Sequence, residues 1–127
     1  MAGAEPDGAW ADLGAGEGNF TAALQTLLPG ASLTAVDQDG RALERLARRL
    51  PEAQVLRADF RRPLPLRDLD GLLVANALHF VREKAPVVEL LVGYLRPGGR
   101  LLVVEYGADR GNPWVPHPFS FATWQGL

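Results

Sequence analysis

Trp10-Ala11-Asp12-Leu13-Gly14-Ala15-Gly16-Glu17-Gly18-Asn19-Phe20 is an apolar run that ends in three glycines at alternate positions, followed at once by a helical pattern. Ala9 to Leu13 reads as a strand. Phe20, Leu24, Leu27 and Leu28 fall at i, i+4, i+7 and i+8, which predicts a helix whose inner face they form. A strand, a glycine loop and a helix in that order let a backbone come close to a bulky polar ligand. Glycine has no β-carbon to block the approach and tolerates positive φ. The helix start adds unpaired N–H groups and the positive end of its dipole.

Working outward, strands and helices alternate. Pro29-Gly30 stops the first helix, and Ser32 to Val36 is a short strand ending at Asp37. Arg41 to Leu50 is helical, with Leu43, Leu46, Ala47 and Leu50 on one face. Pro51 ends that helix, and Gln54 to Ala58 is a third strand reaching Asp59. Phe60 to Asp70, with two prolines, reads as a loop with at most one helical turn. Gly71 to Ala75 is continuously apolar, as a strand buried on both faces should be. A third helix is predicted over Glu83 to Leu95, with Pro86 in its first turn and Val87, Leu91, Tyr94 and Leu95 inward. Pro97-Gly98-Gly99 is expected to break that helix before a fifth strand, Arg100 to Tyr106. The fold class is therefore α/β: a doubly wound parallel sheet of strand order 3-2-1-4-5, by the right-handed crossover rule. Residues 1–127 form one domain, with a core over 9–107 and a tail over 108–127. The short crossover from the third strand to the fourth is the tightest joint in this topology.

In such a sheet, ligands bind beyond the carboxyl ends of the strands, where the strand order reverses. Those ends carry the glycine loop, Asp37, Asp59-Phe60, and Asn76-Ala77-Leu78-His79-Phe80. Asp37 lies 19 residues past Gly18 at a strand tip, where a carboxylate can accept ribose hydroxyls. The plain alternative is a cap on the second helix, but the ribose role is favoured for Asp37 and the cap for Asp39. Asp70 fits the ordering of a turn more than ligand contact. Phe20 and Phe80 are expected in the core, and Phe60 either stacks on a ligand ring or covers the core edge. The glycine spacing is Gly14-x-Gly16-x-Gly18, with Asn19 where the dinucleotide fingerprint G-x-G-x-x-G places its last glycine. Asp12 and Glu17 would repel a pyrophosphate and suit a cationic ligand.

Taken together, these segments resemble the class I, Rossmann-like family of S-adenosylmethionine-dependent methyltransferases. Asp12-Leu13-Gly14-Ala15-Gly16-Glu17-Gly18 is similar to its first motif, Val36-Asp37 to its acidic second motif, and Ala58-Asp59-Phe60 to its adenine-contacting motif. Asp70 to Phe80 and Leu95 to Glu105 are similar to its fourth and fifth strands, closest in tone to the small-molecule methyltransferases of ubiquinone and menaquinone biosynthesis. The resemblance implies S-adenosylmethionine as cofactor, S-adenosylhomocysteine as product and a small-molecule methyl acceptor. It places Asp12, Gly14, Ala15, Gly16 and Gly18 around the methionine portion and Asp37 on the ribose. Asp59 falls on the adenine amino group, Gln38 or Phe60 on the adenine ring, and Asn76 and Ala77 under the sulfonium. His79 lies beside the expected methyl group and could position an acceptor hydroxyl or take its proton; a hydrogen-bonded wall residue is the plainer reading. Glu105 is a lesser candidate of the same kind, and His117 is given no role.

Composition removes other classes. Net charge is −2, no cysteine occurs, and His79 and His117 have no metal-ligand spacing, so nucleic acid, anionic membrane and metal are not expected partners. The N-terminus has neither the basic region nor the apolar core of a signal peptide, which gives a cytoplasmic expectation. Family members carry a further helix and two more strands after strand five, so the sequence reads as C-terminally truncated. The fifth strand is then a long apolar edge, and a homodimer through that edge or the aromatic tail (Trp114, Phe119, Phe121, Trp124) is expected. Methyl transfer to a small molecule is the leading reading. A catalytically silent cofactor-binding or dimerisation module is the alternative, and a nicotinamide-dependent oxidoreductase is the third.

Overall fold

A computed structural model of the chain describes residues 7–75 and 82–104. Five parallel strands, β1 (Ala9–Leu13), β2 (Ser32–Asp37), β3 (Gln54–Arg57), β4 (Leu69–Ala75) and β5 (Leu95–Val104), form one sheet of order β3-β2-β1-β4-β5. The predicted order is the observed one. The connections include α1 (Asn19–Leu27), α2 (Gly40–Arg49) and α3 (Lys84–Gly93).

The alternation of side chains along parallel strands splits the core by face. Ala11, Leu13, Leu72 and Val74 point to the side where Val87, Leu91 and Tyr94 of the α3 segment close the main cluster. Trp10, Leu33 and Leu73 point to the other side, where Leu24 of α1 covers them. Leu43, Leu46 and Leu50 of the α2 segment pack on Ala35 beside them. β4 is buried on both faces over Gly71 to Ala75, as its composition implied. Gly71 is required there because a β-carbon would run into the Trp10 indole.

Asp39 caps α2, its carboxylate accepting from the N–H groups of Arg41 and Ala42 at 3.0 and 3.2 Å. Asp70 has the structural role expected of it. At the amino end of β4 its carboxylate accepts from the Ala9 N–H at 2.7 Å and pairs with Arg96 at 2.5 Å, far along the strand from the ligand rim.

Three expectations need correction. The inner stripe of α1 is Thr21 and Leu24, with Leu28 half-buried, whereas Phe20 is 39% exposed and Leu27 75% exposed. The helix is rotated so that the Thr21 hydroxyl reaches Asp12, and Phe20 is not a core residue. Next, α3 ends at Gly93 rather than Leu95, because Leu95 already pairs with Leu69. Finally, Pro97-Gly98-Gly99 interrupts β5 instead of preceding it. Register passes from Leu69↔Leu95 to Gly71↔Arg100, so the residues between bulge out of the ladder.

The short crossover from β3 to β4 contains no helix. It is held by Tyr94, the residue that follows α3. The buried Tyr94 hydroxyl accepts from the Leu64 N–H at 2.8 Å, and its carbonyl accepts from the Leu69 N–H at 2.9 Å. Leu64 and Leu66 pack against the main cluster, which gives these residues a core contact without a helix.

Candidate binding site at the carboxyl rim

Because all strands run parallel, the carboxyl ends of β1, β2, β3 and β4 lie on one rim. Gly14, Gly16 and Gly18 have φ of 72°, 58° and 94°, a left-handed path that side-chain-bearing residues rarely adopt. Gly18 and Gly16 serve different purposes. A β-carbon on Gly18 would come within 2.8 Å of Leu46, so that position lets α1 seat against α2. A β-carbon on Gly16 would meet nothing within 4 Å, so that position faces open space.

The loop is tied to the tip of β2. The N–H groups of Gly14 and Ala15 both donate to the Val36 carbonyl, at 2.8 and 3.0 Å, and Gly18 N–H donates to Ala15 carbonyl at 3.0 Å. Gly16 N–H donates to Asp37 Oδ2 at 2.8 Å, while Asp37 Oδ1 accepts from the Asp39 N–H at 2.8 Å. On the other flank, the Ala58 N–H donates to the Asp37 carbonyl at 3.0 Å. Asp37 therefore joins three strand ends, and each of its carboxylate oxygens keeps a lone pair for a further donor.

This wiring bears on the ligand class. A pyrophosphate needs loop N–H groups pointing at it, and those of Gly14, Ala15, Gly16 and Gly18 are already taken up internally. Glu17 contributes less to that discrimination than its charge suggested, since it pairs with Arg45 at 2.9 Å on the exposed side of α2.

Beneath the loop, Asp12 is 2% exposed, and its Oδ2 accepts from the Thr21 hydroxyl at 2.7 Å. Burial pushes its pKa up to about 6. The Thr21 hydrogen bond opposes that rise, and the nearby Asp37 charge adds to it. Asp59 lies at the tip of β3, where it is clamped by its own neighbour. Its carboxylate accepts from the Arg61 N–H and Nε at 2.9 Å and from Nη2 at 2.8 Å. Arg61 thereby holds the Asp59 carboxyl below the usual range. Phe60 is half-buried against the main cluster, which is the core-edge role left open for it. Gln38 is exposed, and its carbonyl accepts from Arg57 Nε at 3.1 Å.

The structure thus brings together Asp12, Gly14, Ala15, Gly16, Gly18, Asp37, Gln38, Asp59 and Phe60. Asn76, Ala77, His79, Phe80, Glu105, His117 and the aromatic tail lie outside the described residues; β4 delivers the chain to that rim at Ala75. Sequence reasoning missed Thr21, Arg57 and Arg61. Thr21 had a readable signal, a hydroxyl in the first turn after a loop preceded by an acid. The two arginines had none, since nothing local separates them from the exposed arginines of α2.

A family model described as a methyltransferase domain matches residues 11–103. Trans-aconitate 2-methyltransferase of Escherichia coli is 38% identical over 93 residues, covering 73% of this chain and 37% of that protein. The chain thus spans little more than a third of the length of this relative. Among solved structures, an S-adenosylmethionine dependent methyltransferase from Mesorhizobium loti superposes with a TM-score of 0.70 at 27% identity, over 79% of this chain and 48% of that one. A TehB-like SAM-dependent methyltransferase from Corynebacterium glutamicum shares the fold with a TM-score of 0.78 at 21% identity, over 94% of this chain and 62% of that one.

Proposed function

The chain belongs to the methyltransferase-domain family of class I, Rossmann-like fold, and from that premise we propose that it binds S-adenosylmethionine at the carboxyl rim and methylates a small molecule in the cytoplasm. The observation that carries this reading is the junction at Asp37. One carboxylate is bonded to the glycine loop and its backbone to the third strand end, and it retains acceptor capacity. The internal use of the loop N–H groups and the acidic character of Asp12, Asp37 and Asp59 favour a ligand with cationic centres over a pyrophosphate.

In this reading Asp37 accepts the ribose hydroxyls and Asp59 the adenine amino group. Gln38 and the uncovered part of Phe60 flank the adenine ring. Gly14 to Gly18 line the methionine portion, with the Asp12 charge acting from below. The resemblance assigns Asn76 and Ala77 to the sulfonium and His79 to the acceptor. Bound there, S-adenosylmethionine supplies an electrophilic methyl group on a sulfonium, a leaving group that needs no proton. What remains for the chain is to hold both reactants in line and keep water out. The small-molecule class of acceptor rests on the relatives, one of which is named for trans-aconitate.

A second copy of the chain is proposed along the outer edge of β5. Among the described strands only β4 pairs with it, and Leu102 and Val104 are 43% and 42% exposed.

Thermal-shift measurements test the cofactor assignment, because a ligand bound only by the native state raises the midpoint. S-adenosylhomocysteine should raise it, NAD should not, and Asp37→Ala should abolish the shift. A shift with NAD alone, or one unaffected by Asp37→Ala, would contradict the assignment.

A further inference from the structure

The Asp59-Phe60-Arg61-Arg62 turn is built more rigidly than an exposed loop requires. The Arg62 N–H donates to the Asp59 carbonyl at 3.1 Å, closing the turn, and Phe60 is anchored in the main cluster between them. On this base the Arg61 side chain folds back along its own strand end. It meets the Asp59 carboxylate edge-on, Nε to Oδ1 at 2.9 Å and Nη2 to Oδ2 at 2.8 Å, while the Arg61 N–H fills the second site on Oδ1 at 2.9 Å. The count of acceptor sites follows from this. Oδ1 has both lone pairs occupied. Oδ2 holds Nη2, with only a longer contact to Nε at 3.2 Å, and so keeps one direction open. A two-point guanidinium–carboxylate fork also fixes the plane of the carboxylate, which a single hydrogen bond would leave free to turn.

We propose that Arg61 is a positioning residue that sets purine selectivity. It locks the Asp59 carboxylate so that a single oriented lone pair on Oδ2 is presented to a 6-amino purine and withheld from a 6-oxo purine. This rests on the cofactor reading above and deepens it. An ionised carboxylate with one open acceptor site rewards an exocyclic N–H donor and repels a carbonyl oxygen at the same position. The Arg61 side-chain hydrogen bonds, more than its charge, hold the Asp59 carboxyl below its usual range. Being half-exposed, with a side-chain exposure of 50% against 19% for Asp59, Arg61 contributes little to the core.

The test is calorimetric titration of the full chain with S-adenosylhomocysteine and with S-inosylhomocysteine, whose purine carries a 6-oxo group and a proton on N1 in place of the 6-amino group. The unaltered chain should prefer the adenosyl compound. Arg61→Ala should weaken that compound by about tenfold, the size of one charge-assisted hydrogen bond losing its alignment, and leave the inosyl compound within about twofold. Arg61→Lys, which keeps the charge but not the fork, should fall between, and the melting temperature of Arg61→Ala should drop only slightly, by what one exposed ion pair contributes. Equal losses for both compounds, or an unchanged preference in Arg61→Ala, would overturn the proposal and leave the cofactor reading intact. Failure of the unaltered chain to bind S-adenosylhomocysteine at all would overturn both.

Discussion

The Asp12 carboxylate is enclosed between the first strand and the first helix, and its burial sets a cost on its charge that Thr21 only partly offsets. Its pKa of about 6 lies above the unfolded value of 3.8. The folded chain therefore holds that proton more tightly, so the contribution to stability is complete below the unfolded value and is lost as pH rises through about 6. Asp59 and Asp70 have lowered values and act in the opposite sense, losing their contribution as pH falls below the usual carboxylate range. Asp12→Asn keeps an acceptor for Thr21 and removes the titration. Urea denaturation followed from about pH 4 to pH 7 should show the unaltered chain losing on the order of 2–3 kcal/mol relative to this variant. Parallel curves for the two proteins would show that Asp12 does not carry the shifted titration. The residue was legible in the sequence as an acid preceding the glycine loop. Its burial was not, because that depends on how α1 is rotated, and the apolar spacing of Phe20, Leu24, Leu27 and Leu28 pointed to a different face. One polar contact, Thr21 to Asp12, outweighs that pattern, and it leaves Phe20 outside.

Single elements were read well where pattern and neighbourhood agree. β1, β4 and α2 follow from apolar runs, and from alternation or helical spacing bounded by glycine, proline or an Asp cap. The crossover from β3 to β4 and the start of β5 were not so readable, because distant partners define them. Tyr94 is where both meet: its hydroxyl and carbonyl hold Leu64 and Leu69, and Leu95 next to it opens the β5 ladder. Tyr94→Phe leaves the ring packing intact and strands the Leu64 N–H. It should cost about 1 kcal/mol in equilibrium unfolding, and hydrogen exchange should accelerate locally at Leu64. A change spread evenly over the sheet, with Leu64 unaffected, would argue that the hydroxyl does not anchor the crossover. The Pro97-Gly98-Gly99 stretch shows the same limit: it looks like a helix terminator by composition, yet it lies inside a strand because Leu95 and Arg100 pair on either side of it.

For the molecule as a whole, strand order and the clustering of the rim residues were legible because right-handed crossovers and parallel strands leave few other arrangements. What the sequence could not convey is which loop donors remain available, since that is decided by carbonyls and carboxylates from other strands, Val36 and Asp37 above all. The edge of β5 that no described strand covers belongs to this scale too. Light scattering at micromolar concentration should give a mass twice the 13.7 kDa of one chain, and Leu102→Glu should return it to the single-chain value. A single-chain mass for the unaltered protein would contradict pairing through that edge.

The central claim is that the glycine loop, Asp37 and Asp59 make one adenosyl-binding surface. A chain of 127 residues allows this to be read amide by amide, by nitrogen–proton correlation spectra recorded while S-adenosylhomocysteine is added. The amides of Gly14 to Gly18, Asp37 to Gln38 and Asp59 to Arg61 should shift together with one dissociation constant. Those of Gly8, Asp70 and Arg96, at the opposite end of the sheet, should stay still. Shifts confined to that opposite end, or none at saturating ligand, would contradict the account.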